Sequence, residues 1–324
     1  MDIKNLNNFK NKNIILIGDV AIDIYEYYKS TESSPEHKDI PKCILENRKI
    51  NLGMTGNVAT NLAALGANVY FFCVGNREFY DELMKISNKF DNRIKLIFYS
   101  SDNITYKKRI IVNNKHIMRI DEDINISKDE KILFRFDSIL SLSLSSNINI
   151  DAIILSDYNR GLIKNYGQEF INKLKNKFKN ISIFYDPHEK QNNIPNGIDY
   201  LTPNLKEAKA ITKNKTNFYL DTYNNLINKN LAKNIILKLS EDGVVFKDED
   251  NKVQKISACK ESVIDVSGAG DTLVSVLALA LSSGFSLYDS VNIANIASGL
   301  VVMKEGTQPV YFEELEKELK NYGK

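Results

Sequence analysis

The sequence predicts an α/β fold: a doubly wound, mostly parallel sheet flanked by helices, with a small β lid. Three observations predict it. Short apolar runs recur along the chain, helical spacing fills the stretches between them, and two segments break that rhythm. The first run, Asn13–Gly18, ends at glycine and aspartate and reads as a buried strand of a parallel sheet. Runs of the same kind follow at 70–74, 152–155, 181–185 and 235–239. Segments 57–65, 128–142, 167–178, 205–211 and 219–231 space their apolar residues at three and four, as buried helix faces do. The two interruptions form the lid. Segment 25–50 is polar and irregular, with Pro35 and Pro41; segments 105–111 and 116–120 alternate around an Asn113-Asn114-Lys115 turn. Nothing resembling a linker divides residues 1–324, so a single domain is expected, its lid at about 25–50 and 105–120.

Composition narrows the function classes. The 324 residues are 43% hydrophobic, enough for a substantial core. A formal net charge of +2 offers no field for nucleic acid or membrane. Cys43, Cys73 and Cys259 are odd in number and far apart, which argues against a disulfide framework or a structural zinc site. The start of the chain lacks a signal-peptide core, and the longest apolar run, 273–281, falls short of the roughly 20 residues that span a bilayer. The expectation is a cytoplasmic protein.

Three constellations carry chemistry. Gly268-Ala269-Gly270-Asp271 sits where a loop becomes an apolar helix. Small residues admit a ligand close to the backbone. The free amides and positive dipole end of a helix start suit phosphate and the charge that develops during its transfer. Asp271 at the same turn is placed to accept a proton from an attacking hydroxyl. A capped tight turn explains that string alone equally well. Asp19 and Asp23 follow the first strand at its carboxyl end, where ligands bind in open α/β sheets. Gly53 opens a loop into a helix whose Asn57 and Asn61, four apart, share a face. Ordinary turn and cap roles compete with hydroxyl binding for each of these. Asn204 and Glu207 open the helix after Thr202-Pro203, either as a cap or as a pair organising water around magnesium.

Together these residues resemble the ribokinase-like (PfkB) carbohydrate kinases. The substrate loop of that family matches 53–61, its N-x-x-E pair matches Asn204 and Glu207, and its D-x-x-G-A-G-D signature matches 265–271, in order along nearly the whole chain. Within the family the chain resembles the kinase half of the bacterial heptose kinase and adenylyltransferase proteins, through Gly18-Asp19-Val20, Leu155-Ser156-Asp157-Tyr158, Leu201-Thr202-Pro203-Asn204-Leu205 and the signature itself. The resemblance implies a kinase that phosphorylates O1 of D-glycero-β-D-manno-heptose 7-phosphate, with Asp271 as base and the Gly268, Ala269 and Gly270 amides as anion hole. It implies a sugar site of Asp19, Asp23, Gly53, Asn57, Asn61, Arg119 and Asp186. ATP would lie near Asn204, Lys238, Ser240, Gly243 and Asn295. Magnesium would be held through water by Glu207, a potassium ion would sit beside Asp265, and a homodimer would form through the lid. The chain departs from the pattern at three places: Met54 stands where a second glycine is usual, Ile24 where an arginine is, and His188 where a lysine is. The adenylyltransferase half has no counterpart here, so a free-standing kinase is expected. A kinase for another sugar, and a silent sugar- or nucleotide-binding protein, are the competing readings.

Overall fold

A computed structural model describes residues 3–322 except 38, 103, 146–147, 191–192, 215, 217 and 260–262, with backbone only at 139 and 142–145. After a short 3-10 helix (Ile3–Phe9) the chain runs β1 (Asn13–Gly18), β2 (Val20–Ser33), β3 (Pro41–Met54), α1 (Thr55–Ala64), β4 (Asn68–Gly75), α2 (Arg77–Asn88), β5 (Ile94–Ser100), β6 (Thr105–Val112) and β7 (Lys115–Glu122). There follow α3 (Glu130–Ser145), β8 (Ala152–Ser156), α4 (Leu162–Lys177), β9 (Ile183–Asp186), β10 (Ile198–Leu201), α5 (Leu205–Thr212), α6 (Tyr219–Asn228) and β11 (Ala232–Ile235). The last part is β12 (Leu237–Lys238), β13 (Val244–Lys247), β14 (Val253–Ile256), α7 (Ala269–Ser282), α8 (Leu287–Val301) and α9 (Phe312–Tyr322).

Seven strands form a sheet in the order β11-β10-β9-β8-β1-β4-β5, every neighbouring pair parallel. Alternation sends the side chains of each strand to opposite faces. Ile14 and Leu16 of β1 join Val69 and Phe71 of β4 beneath α1, α7 and α8. Ile15 and Ile17 join Tyr70 and Phe72 beneath α3 and α4. Both faces are therefore buried, which is why these strands read as continuous apolar runs. The chain leaves β1 toward β4 on one side and returns to β8 on the other. That reversal puts the carboxyl ends of β1, β8 and β9, at Gly18, Ser156 and Asp186, side by side at a switch point of the sheet.

A second sheet, β3-β2-β6-β7, stands apart from the first. Its β2–β3 and β6–β7 pairs are antiparallel and its β2–β6 pair is parallel. Here the structure corrects the sequence reading. Segment 25–50 is no irregular stretch, because most of it lies in two 14-residue strands. Polar side chains hid them: an exposed hairpin has no apolar periodicity to detect. Its prolines lie at the turn and at the first residue of β3, where no ladder donor is lost. The β6–β7 turn is Asn113-Asn114, both with positive φ, the backbone a two-residue hairpin demands. The run 235–239 is not one strand: β11 ends at Ile235, and β12 starts a third sheet with β13 and β14.

Candidate active site

Gly268 ends the loop before α7 in the left-handed region, φ 85°, and a Cβ there would fall 2.6 Å from Asn57 Nδ2. This glycine lets α7 begin against α1. Asp271 in the first turn of α7 is thereby buried beside two donors. Asn57 Nδ2 donates to its Oδ2 at 2.9 Å, and the Tyr158 hydroxyl donates to its Oδ1. Burial pushes the Asp271 carboxyl up to about 6, although both hydrogen bonds favour its ionised form. Tyr158, which follows β8, is the member of this cluster that sequence reasoning did not single out. Its position just beyond the carboxyl end of a central strand was the available signal.

Asp271 opens onto a cavity of about 160 Å³ that it shares with Asp186, Asn204, Glu207, Lys238 and His188. Lys238 Nζ meets Asp186 Oδ1 at 2.6 Å, and Thr202 Oγ1 donates to the same oxygen at 2.7 Å. Burial works against the Lys238 charge, but Asp186 and Glu207 outweigh it and hold this ammonium above its usual range. Asn204 and Glu207 form a reciprocal capping box: Asn204 Oδ1 accepts from the Glu207 amide at 2.9 Å, and Glu207 Oε2 accepts from the Asn204 amide at 2.7 Å. The cap reading is therefore right. The two readings are also compatible, since the cap fixes Glu207 at the cavity wall. Burial raises its carboxyl to about 7.

The structure places the other expected residues as follows. Asp23 is buried on β2, where Arg109 NH1 donates to its Oδ1 at 3.1 Å, and Gly53 leaves it room: a Cβ there would lie 2.7 Å from Asp23 Oδ2. Arg119 lies opposite Arg109, so the two share a sheet face, but it is exposed and chelates Asp121 through Nε and NH2 at 2.7 and 2.8 Å. Asp265 accepts from the Ser267 and Gly306 amides at 2.9 and 3.1 Å and joins the two loops. Against the upward pull of burial, these bonds hold its carboxyl low. Ser240, with positive φ, is exposed at the start of a short 3-10 turn.

Four of the expected residues make contacts within the protein. Asp19 is fully buried and accepts the backbone amides of Tyr158, Arg160 and Leu162 at 3.1, 3.0 and 3.1 Å, so it fixes the loop that carries Tyr158 and has no face toward a sugar. Asn61 accepts from Thr272 Oγ1 and the Val310 amide and donates to the Asn57 carbonyl; it clips α1 to α7. Asn295 donates to the Ser257 carbonyl at 2.8 Å and so pins the segment after β14. Gly243 is required by its own hairpin, since a Cβ would fall 1.9 Å from the Ile256 carbonyl oxygen. Met54, at φ 54° and ψ −133°, holds a backbone that favours glycine.

Comparison with known proteins gives the family and the fold. Residues 11–313 match the pfkB family carbohydrate kinase description. The bifunctional protein HldE of Sulfurimonas denitrificans is 36% identical over 313 residues, covering 94% of this chain and 63% of that protein. HldE of Campylobacter fetus subsp. fetus is 31% identical over 312 residues, covering 94% and 66%. The chain thus spans less than two thirds of the length of these relatives. Arabidopsis thaliana ribokinase complexed with ribose and ATP superposes with a TM-score of 0.70 at 18% identity, over 96% of this chain and 99% of that one. Escherichia coli phosphofructokinase-2 with substrates and products gives 0.72 at 16% identity, over 97% and 100%. Among the described residues no helix is long and apolar enough to cross a membrane.

Proposed function

The chain belongs to the pfkB family of carbohydrate kinases, phosphotransferases with an alcohol group as acceptor, and from that premise we propose that it uses ATP to phosphorylate O1 of D-glycero-β-D-manno-heptose 7-phosphate. One observation carries the kinase assignment: a buried aspartate at a helix start, raised to about 6, hydrogen-bonded by two side chains and open to a polar cavity. In the proposed step Asp271 takes the proton of the attacking hydroxyl. The acceptor oxygen bonds to the γ-phosphorus, the bond to the bridging oxygen breaks, and ADP leaves. The amides at the start of α7 meet the charge on the transferring group, and Lys238 lies beside it. Magnesium, when bound, would supply further charge neutralisation. Glu207 fits it, because one carboxylate oxygen remains outside the capping bond and faces the cavity; no group of three or more carboxylate, imidazole or thiol ligands exists among the described residues, so most ligands would be water and phosphate. Asp265 suits a potassium site as a positioning residue, since two amides already occupy its oxygens.

A phosphorylated acceptor is supported by the inner face of the second sheet, which we assign as the lid. Register puts Lys107 beside Asp23 and Asp121, and Arg109 beside Arg119, on one face. Burial lowers the Lys107 ammonium, Arg119 and Arg160 add to this, and its Nζ lies 5.8 Å from the centre of the Tyr158 ring. These cations stand in for the arginine and lysine replaced by Ile24 and His188. On the same lid, Ile44 and Leu45 of one edge strand and Ile117 and Met118 of the other are about half exposed or more, apolar surface that a homodimer could cover. An ATP-consumption screen over heptose 7-phosphate, heptose, hexose phosphates, ribose and nucleosides tests the reading. Fastest turnover on heptose 7-phosphate is expected; faster turnover on an unphosphorylated sugar or a nucleoside would refute it and favour a kinase for another sugar.

A further inference from the structure

A cavity larger than the one at Asp271 is also present. This second cavity, of about 330 Å³, lies between β3, the C-terminal end of α2 and the loop 305–311, and its wall shares no residue with the first. Two ammonium groups reach it from separate elements. Lys49 comes from β3 and Lys89 from the C-cap of α2; both are exposed, and neither has an ion-pair partner among the described residues. Lys49 Nζ lies 5.1 Å from the centre of the Tyr27 ring. Tyr25, Phe90 and Tyr311 add flat apolar surface. The Thr307 hydroxyl in the same wall is buried with no hydrogen-bond partner, and the Tyr25 hydroxyl meets only the Thr307 backbone. Burying a hydroxyl without a partner costs free energy, so such groups ask for a ligand or water. The only carboxylate in the wall, Glu305, is held by the Tyr27 hydroxyl at 3.1 Å.

We propose that this second cavity binds a phosphomonoester of sugar-phosphate or nucleotide size as an effector, its phosphate between Lys49 and Lys89 and its hydroxyls on Thr307 and Tyr25. The wall reaches the catalytic groups at three points. Asn57 lines the cavity and donates to Asp271; Gly306 lines it and donates to Asp265; Tyr25 lines it and stacks under Arg109, the partner of Asp23. A ligand that shifts this wall changes the placing of the base and of the acceptor. By reciprocity, filling the active site changes the affinity of the effector. The inference does not depend on which sugar is the acceptor.

Calorimetric titration of the full chain tests it, with the nucleotide site filled by a non-hydrolysable ATP analogue. Glucose 6-phosphate, AMP and inorganic phosphate are titrated in turn. The double variant Lys49→Met/Lys89→Met replaces two exposed side chains. It is expected to weaken binding of at least one ester by tenfold or more, and that ester is expected to shift KM or kcat of the unmodified enzyme. Thr307→Val is expected to weaken the same ester while leaving inorganic phosphate unchanged. Titrations that the double variant leaves unchanged for all three compounds would overturn the proposal. So would inorganic phosphate binding as tightly as both esters, which would make the cavity a bare anion trap.

Discussion

Two aspartates at the switch point of the sheet, Asp19 and Asp271, are both buried and both pushed above the usual carboxylate range, to about 7 and about 6. For Asp19 burial is joined by the neighbouring Asp157. Their partners differ. Asp19 is surrounded by three backbone amides of one loop and does not line the catalytic cavity. Asp271 is held by two side chains and does line it. A shifted carboxyl is therefore not in itself a base. What separates the two carboxylates is that only Asp271 lines a cavity from which an acceptor hydroxyl could reach it.

The comparison breaks first at Asp271. Asp271→Asn keeps the shape of the turn but cannot take a proton. Turnover is expected to fall by about 10²–10⁴ with ATP affinity little changed, measured by steady-state kinetics beside direct nucleotide binding. Near-normal turnover in a folded protein would remove the base assignment; loss of ATP binding or of the fold would make Asp271 structural. Gly268→Ala comes next. Its Cβ would collide with Asn57 Nδ2 at a backbone angle unsuited to alanine, so kcat is expected to drop by roughly tenfold, with about 1–2 kcal/mol of stability lost. Denaturant melts alongside kcat would separate the two effects. Asp19→Asn is the smaller and contrary case. It exchanges one acceptor oxygen for a donor facing amides, and is expected to cost about 1–3 kcal/mol of stability. The acid limb of its pH–rate profile is expected to stay in place. Loss of proton abstraction in Asp19→Asn at normal stability would erase the distinction between the two residues.

Much of this was legible in the sequence, and the remainder was obscure for physical reasons. The parallel sheet showed itself because strands buried on both faces are apolar throughout, as in Asn13–Gly18. The signature loop showed itself through its company, because it lies in order after the 53–61 loop and the Asn204 and Glu207 pair. The β2–β3 hairpin did not, because β3 is exposed along most of its length and one-sided burial leaves a polar sequence. The internal partners of Asp19, Asn61 and Asn295 were not legible either, because a polar residue at a strand end or on a helix face has the same letter whether it meets a ligand or a buried amide. For Tyr158 the sequence offered only its place beyond the carboxyl end of a central strand, since its partner Asp271 lies 113 residues away.

The pH dependence of kcat, measured for the unmodified enzyme and for Tyr158→Phe and Asp19→Asn, tests the central claim most directly. A base must be ionised to accept a proton, so kcat is predicted to be lost as pH falls through about 6. The Tyr158 hydroxyl favours ionised Asp271, so Tyr158→Phe is predicted to move that acid limb to higher pH, while Asp19→Asn leaves it in place. An acid limb that ignores Tyr158→Phe and follows Asp19→Asn, or no limb at all between pH 5 and about 8, would contradict the account.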